Sequence, residues 1–301
     1  MPSERVTDIR SPAGHPYLLL ALAALFWGGN AVAGRLAIGH VSPMTLSLTR
    51  WILSGLIVIV TARRQVVADW PVIRTRLPYL AAVAGVGFLG FNALLYFGAY
   101  STTAVNLTIL QGAIPVFVLL GGLLAYGTAV TTTQALGVTV TLLGVALIAS
   151  KGELATIFHL RFAFGDVLMI LACGCYAAYT VALVRRPQVS ALAMFSMLAF
   201  FAALLSLPLL GIEIAAGQSY WPTSQGWLII AYVALFPSVL SQIFFIRGVE
   251  AIGASRAGIF VNLVPVFGAA LAVWVLGEPF GWYQMTALAL VIGGIVWSQR
   301  K

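Results

Sequence analysis

Ten stretches of mostly apolar residues dominate this chain, each close to the ~20 residues a helix needs to cross a bilayer. They run over 17–38, 43–62, 78–98, 102–126, 131–149, 165–184, 190–211, 226–246, 252–276 and 281–298. Of the 301 residues, 8% are charged and 61% hydrophobic, whereas a soluble domain carries about 25% charged residues on a surface that faces water. The chain cannot cover a globule with polar groups, so an all-α integral membrane protein in contact with the lipid bilayer is expected. A net charge of +8 would suit nucleic acid if it lay along one face. It lies between the apolar stretches instead, as in loops beside anionic lipid, and no nucleic-acid partner is expected. Residues 1–16 are polar and broken by Pro2, Pro12, Gly14 and Pro16, which suits a cytoplasmic tail and not a secretory leader. Cys173 and Cys175 are two apart on one apparent helix and face different directions, so neither a disulfide nor a redox pair is read from them.

Lysine and arginine set the orientation. With the amino terminus inside, the inner segments hold Arg5, Arg10, Arg63, Arg64, Arg74, Arg76, Arg185, Arg186, Arg247, Arg256, Arg300 and Lys301, and the outer ones only Arg35, Lys151 and Arg161. Both termini are therefore expected in the cytoplasm of a bacterial-type inner membrane. Loops are expected at 63–77, 150–164 and 212–225.

The halves repeat each other. Gly98–Ile148 aligns without a gap on Gly248–Ser298, with identities at Ala104/Ala254, Ile109/Ile259, Pro115/Pro265, Val116/Val266, Phe117/Phe267, Gly127/Gly277, Gln134/Gln284 and Gly144/Gly294. Five helices per half is an odd number, so the second half enters from the opposite side: two inverted-topology repeats, 17–149 and 165–298. QGAIPVF (111–117) and VNLVPVF (261–267) each place a proline inside a long apolar segment. Proline has no N–H for the carbonyl four residues earlier, so the carbonyls of Gln111 and Val261 should lack a partner. Inside lipid, that is tolerated only where the backbone lines protein or a wet cavity. Pro115 and Pro265 thus mark helix breaks, or gates, at a central cavity.

Several short patterns resemble the EamA domain of the drug/metabolite transporter superfamily. They are Trp27-Gly28-Gly29-Asn30, Ser42-Pro43, Leu48-Thr49-Arg50, the Pro115 and Pro265 helices, Gly165-Asp166 and Leu276-Gly277-Glu278-Pro279. The likeness spans essentially the whole chain as two tandem units, and is nearest to YddG-type exporters of aromatic and other neutral amino acids. It implies a ten-helix carrier with no cofactor. The first unit ends in Gly127-Thr128-Ala129 instead of Gly277-Glu278-Pro279, so a role for Glu278 need not be shared.

Polar groups within spans usually face the bundle interior. Asn92, Tyr96 and Tyr100 recur every four residues on one helix face. The repeat sets Gln242 opposite Asn92 and pairs Gly112 with Asn262, while a shift of 149 brings Tyr176 and Tyr179 to the places of Trp27 and Asn30. With Gln111, these residues are the candidate substrate contacts: rings for a side chain, amides and free carbonyls for an ammonium. Each amide could equally bond a neighbouring helix, and Tyr100 could anchor at the membrane surface. Trp51, Trp70, Trp221, Trp227, Trp282 and Trp297 are assigned to the interfacial belt or to packing. Arg50 lies about two turns from its helix end. It is a candidate contact for a carboxylate near the cavity mouth, or it snorkels to headgroups or meets a helix C-terminus. The structural role is preferred, since the family pattern keeps an arginine there across unlike cargoes. Small residues at Gly121/Ala125, Gly174/Ala178 and Gly268/Ala272 are expected at close helix contacts.

Glu4, Asp8, Asp69, Glu153, Asp166, Glu213, Glu250 and Glu278, with His15, His40 and His159, all fall in the tail, in loops or at helix ends. A buried proton relay in mid-membrane is therefore not expected. Nor are a metal site, an enzyme's nucleophile and base, or the cluster of buried cations that a nucleotide sugar or phosphate ester would want. The function expected is export of a small molecule, aromatic and neutral amino acids favoured, by facilitated alternating access. A proton-coupled exporter of other metabolites or drugs is the alternative. A monomer is compatible with this plan.

Overall fold

The structure, a computed structural model, describes residues 15–153 and 163–299. The 1–14 part of the expected tail, Arg161, His159, Arg300 and Lys301 lie outside them. All regular structure among the described residues is helical. The first half holds α1 (Pro16–Leu36), α2 (Pro43–Ile73), α3 (Leu77–Val83), α4 (Phe91–Gly98), α5 (Ala104–Leu110), α6 (Ile114–Tyr126) and α7 (Thr132–Ala149). The second holds α8 (Phe164–Ala182), α9 (Ala191–Ala215), α10 (Ser224–Val233), α11 (Ser241–Ile252), α12 (Ala254–Val261), α13 (Val264–Leu276) and α14 (Trp282–Ser298).

Eight continuous helical stretches are long and apolar enough to cross a membrane, and α14 is a shorter apolar helix of 17 residues. One stretch, Pro43–Gly98, has 56 residues and folds back on itself near Arg74–Arg76. Arg50 on α2 hydrogen-bonds Asn92 and Tyr96 on α4, a contact that a straight helix rising 1.5 Å per residue could not make. The loop expected over 63–77 is therefore mostly helix, α2 running to Ile73. Arg63, Arg64 and Gln65 end the apolar run but are good helix formers, so the helix outlasts the stretch that lipid would cover. α9 likewise runs on to Ala215.

The repeat read from the sequence is also a repeat of local geometry. Wide π turns occupy Ala84–Gly90 and Ala234–Leu240, 150 residues apart. α6 and α13 both begin with proline in their first turn and both end on a left-handed glycine, Gly127 (φ 65°) and Gly277 (φ 64°), a conformation that disfavours any side chain. At the prolines the expectation needs correction. Gln111–Ala113 tightens into a 3-10 turn and the Ile114 N–H bonds the Gln111 carbonyl, so that carbonyl is not free. In the second copy Asn262 and Leu263 make three-residue bonds to the Ile259 and Phe260 carbonyls, one turn before the Val261 carbonyl. A tighter turn supplies locally what proline removes.

Contacts between the halves obey a two-fold exchange. A Cβ on Gly137 would meet the Gly294 carbonyl at 2.5 Å, and one on Gly144 would meet the Ala287 carbonyl at 2.8 Å. Under the 150-residue offset, 137 becomes 287 and 144 becomes 294, so each contact converts into the other. α7 and α14 therefore pack antiparallel at backbone contact. The α2–α9 pair is antiparallel too, latched at both ends. Glu213 accepts from Ser42 Oγ (2.7 Å) and the Met44 N–H (3.1 Å), and Asp69 accepts from the Ser190 N–H (2.8 Å). Carboxylates there occupy helix N-termini, where orphan N–H groups and the helix dipole favour a negative charge. α1 crosses α13 where a Cβ on Gly28 would touch the Gly268 backbone at 2.7 Å, as the Gly268/Ala272 spacing predicts. Gly174 has nothing within 4 Å of its missing Cβ, so that pair is not a packing seam.

Candidate functional site

Arg50 is the centre of the site, and it is 96% buried, with 4% of its surface exposed. Its Nε donates to Ser238 Oγ at 2.7 Å. The two N–H groups of Nη1 are shared among Tyr96 Oη (2.6 Å), Asn30 Oδ1 (3.0 Å) and Asn92 Oδ1. Tyr96 in turn donates to Asn30 Oδ1 at 3.0 Å, and Asn30 Nδ2 to Asn92 Oδ1 at 3.1 Å. Asn92 Nδ2 closes the set on the Phe88 carbonyl (2.8 Å). Ser238 is positioned by the proline beside it. Pro237 offers no N–H to the Val233 carbonyl, and the Ser238 hydroxyl donates to that carbonyl at 2.7 Å, leaving its oxygen for Arg50.

No carboxylate pairs with Arg50; the one ion pair among the described residues is Arg35–Glu278, at 3.9 Å. Nη2 has no hydrogen-bond partner among those residues, and the guanidinium lines a cavity of about 150 Å³. Rings wall much of it: Trp51 stacks on Phe88 at 4.8 Å, Phe91 lies 5.3 Å from Tyr176, and Tyr176 lies 5.4 Å from Tyr179. Among the described residues, Arg50 is the one charged side chain in the lining. A buried cation without a counter-ion is costly, and it is the natural seat for an anionic group brought in by a ligand.

The two ends of the bundle differ. At one end the turns interlock. Gly39 N–H donates to Tyr220 Oη (3.1 Å), whose hydroxyl meets that of Tyr100 (3.0 Å). Arg35 donates to the Ala99 carbonyl (2.6 Å), and the two oxygens of Glu278 accept from the Ala104 and Val105 N–H groups (2.9 Å each). At the other end a cleft of about 850 Å³ lies among α6, α7, α12 and α14, reaching from Pro115 and Ile295 to Gln134, Arg256 and Gln299. Pro115 and Ile295 also line the central cavity.

A model of the EamA-like transporter family matches residues 15–150 and 163–299. The chain belongs to the EamA-like transporter family. It is similar to the uncharacterized transporter YyaM of Bacillus subtilis, 25% identical over 93% of this chain and 92% of that one. Another relative is the uncharacterized transporter YetK of the same organism, 27% identical over 93% of this chain and 85% of that one. An uncharacterized transporter of Archaeoglobus fulgidus is also 27% identical, over 95% and 97% of the two chains. One solved crystal structure superposes with a TM-score of 0.65 at 19% identity, over 94% of this chain and 96% of the other, a likeness of fold. This EamA protein is thus a multi-pass membrane transporter.

Of the residues singled out in its sequence, Trp27, Asn30, Arg50, Asn92, Gln111, Pro115, Tyr176, Tyr179, Gln242, Asn262 and Pro265 all line the one cavity. Tyr96 stands behind it, fully buried, and acts through Arg50. Tyr100 is not brought in. α4 ends at Gly98, and the ring is 45% exposed in the interlocked turns, where burial and the bond to Tyr220 raise the phenol's pKa. Of the two roles expected for Trp51, the belt and packing, it takes packing, buried in the cavity wall. Arg50 neither snorkels nor meets a helix C-terminus. The sequence reading missed Ser238, Phe88, Phe91 and Phe195, which also line the cavity. The signal for Ser238 was Pro237, a proline in the middle of the 226–246 apolar segment.

Proposed function

We propose that this EamA transporter moves small amino acids or related metabolites, aromatic and neutral amino acids favoured, out of the cell by alternating access. The observation that carries this reading is the single buried cation in an aromatic-walled cavity, Arg50, with one donor nitrogen unspent. It suits the carboxylate of a solute whose side chain packs on the rings. The ten apolar segments are ten crossings, the Pro43–Gly98 hairpin supplying two. Their halves are inverted repeats, 17–149 and 165–298, after a cytoplasmic tail, a plan supported by the antiparallel packing of α7 on α14 and of α2 on α9. Among the described residues, Arg63, Arg64, Arg74, Arg76, Arg185, Arg186, Arg247 and Arg256 lie toward the end with the open cleft, against Arg35 and Lys151 at the interlocked end. That bias makes the open end cytoplasmic, both termini with it, and the conformation inward-facing.

Among the described residues no carboxylate lines the cavity, which favours facilitated exchange over a proton relay. One buried arginine also argues against a nucleotide sugar or phosphate ester, whose several charges would ask for more cations. The test is flux of labelled tryptophan, phenylalanine, methionine and threonine into liposomes holding the purified protein, at two pH values, with and without a proton gradient. Saturable flux insensitive to the gradient is expected. No saturable flux of any of the four rejects the amino-acid cargo, and flux that needs the gradient rejects the facilitated mode.

A further inference from the structure

The polar groups around Arg50 are spent in one direction. Asn30 Oδ1 accepts from both Arg50 Nη1 and the Tyr96 hydroxyl, and Asn92 Oδ1 accepts from both Arg50 Nη1 and Asn30 Nδ2. An amide oxygen has two lone pairs, so both are fully occupied. The Ser238 oxygen accepts from Arg50 Nε, and its hydrogen goes to the Val233 carbonyl. The Gln111 backbone carbonyl, a candidate seat for an ammonium on the sequence alone, is taken by Ile114. What stays open beside the guanidinium is a donor, Nη2.

An ammonium group brings three donors and needs acceptors or an anion. In an α-amino acid it sits one carbon from the carboxylate, so docking the carboxylate on Arg50 carries the ammonium toward a buried cation. Like charges at that range repel strongly where water is scarce, and among the described residues no acidic side chain lines the cavity to offset this. The side-chain oxygens of Gln111, Gln242 and Asn262 accept no hydrogen bond from the described residues, but they are neutral amides and cannot balance a second cation.

Resting on the proposal that this cavity is the transport site, we infer that it selects the carboxylate and loses more by the amino group's charge than its neutral amides return. Small monocarboxylates with an aromatic or apolar body and no ammonium are then ligands in their own right, bound more tightly than the matching amino acids. The amine lacking a carboxylate is excluded. The apolar body fits the ring wall of Trp51, Phe88, Phe91 and Tyr176.

Three molecules with one ring and one chain length separate the terms: 3-phenylpropionate, phenylalanine and phenethylamine. Their binding to purified wild-type protein in nanodiscs would be measured by calorimetry at neutral pH, with no variant needed. 3-Phenylpropionate is expected to bind at least tenfold tighter than phenylalanine, with phenethylamine undetected at a hundredfold higher concentration. Phenylalanine binding as well as or better than 3-phenylpropionate overturns the inference and leaves the amino-acid cargo standing. 3-Phenylpropionate binding with no phenylalanine binding supports the inference and removes the amino-acid cargo. Phenethylamine binding overturns the inference outright, as does failure of all three.

Discussion

Replacing Arg50 with methionine separates a cargo contact from a structural strut. The change removes three engaged N–H groups of a charged donor, Nε–H on Ser238 and the two of Nη1 shared among Tyr96, Asn30 and Asn92, each worth about 1.5–3 kcal/mol. It also removes a buried, unpaired cation, whose burial costs several kcal/mol. The neutral groups left behind keep partners: Tyr96 still donates to Asn30, Asn30 to Asn92, and Ser238 to Val233. The two sides nearly cancel, and the fold should lose no more than about 2.5 kcal/mol, or under about 10 °C in Tm at roughly 2–4 °C per kcal/mol. A carboxylate entering the variant cavity would instead be buried without its partner, at a cost of about 3–5 kcal/mol. At tenfold per 1.4 kcal/mol, kcat/KM for amino-acid flux should fall by more than about 100-fold. Thermal unfolding in detergent and liposome flux read the two numbers separately. Flux at the wild-type level with an intact Tm would refute the assignment of Arg50 to cargo. A collapse in Tm far beyond 10 °C would show it to be a strut.

Further variants probe the seams and the cavity wall. Gly294→Ala puts a methyl against Thr141 Oγ1 and 2.5 Å from the Gly137 carbonyl. It should cost about 1–3 kcal/mol in thermal unfolding, whereas Gly174→Ala, with open space around it, should be neutral or stabilising by up to about 1 kcal/mol. Gln242→Ala should leave Tm unchanged, since that side chain holds no other, and should raise KM several-fold. Equal KM values would place it outside the cargo's reach. Glu278→Gln keeps shape but loses the charge that caps Ala104 and Val105 and pairs with Arg35. A cysteine at Asn262 in that background should then react faster with an impermeant thiol reagent added from the interlocked side, and an unchanged rate would show that Glu278 does not hold this end shut.

Much of the architecture was legible because it follows from burial and repetition. Span lengths are fixed by lipid thickness. The 150-residue offset carried the prolines, the left-handed glycines and the Asn92–Gln242 correspondence into the structure together. What sequence reasoning misjudged were matters of depth and partnership. A structural role at the headgroups or a helix end was preferred for Arg50, because nothing in the spacing reveals that Asn30, Asn92, Tyr96 and Ser238 converge on it from three other helical segments. Tyr100 shares a four-residue period with Asn92 and Tyr96, but periodicity cannot show that α4 stops at Gly98. The Gln111 carbonyl was expected to be open because proline removes a donor; the 3-10 turn restores one from Ile114. Hydropathy marked the end of the lipid-compatible run at Ala62, not the end of α2 at Ile73.

Alternating access requires the interlocked end to part, and a bridge across it tests that requirement most directly. Cysteines at Tyr100 and Tyr220, whose hydroxyls now touch at 3.0 Å, would be joined by a short bifunctional thiol reagent that can be cleaved by reduction. Cys173 and Cys175 would be replaced by alanine in the same protein. Saturable amino-acid flux in liposomes should vanish when the bridge forms and return when it is cleaved. Flux that persists at full rate with the bridge intact would contradict the account.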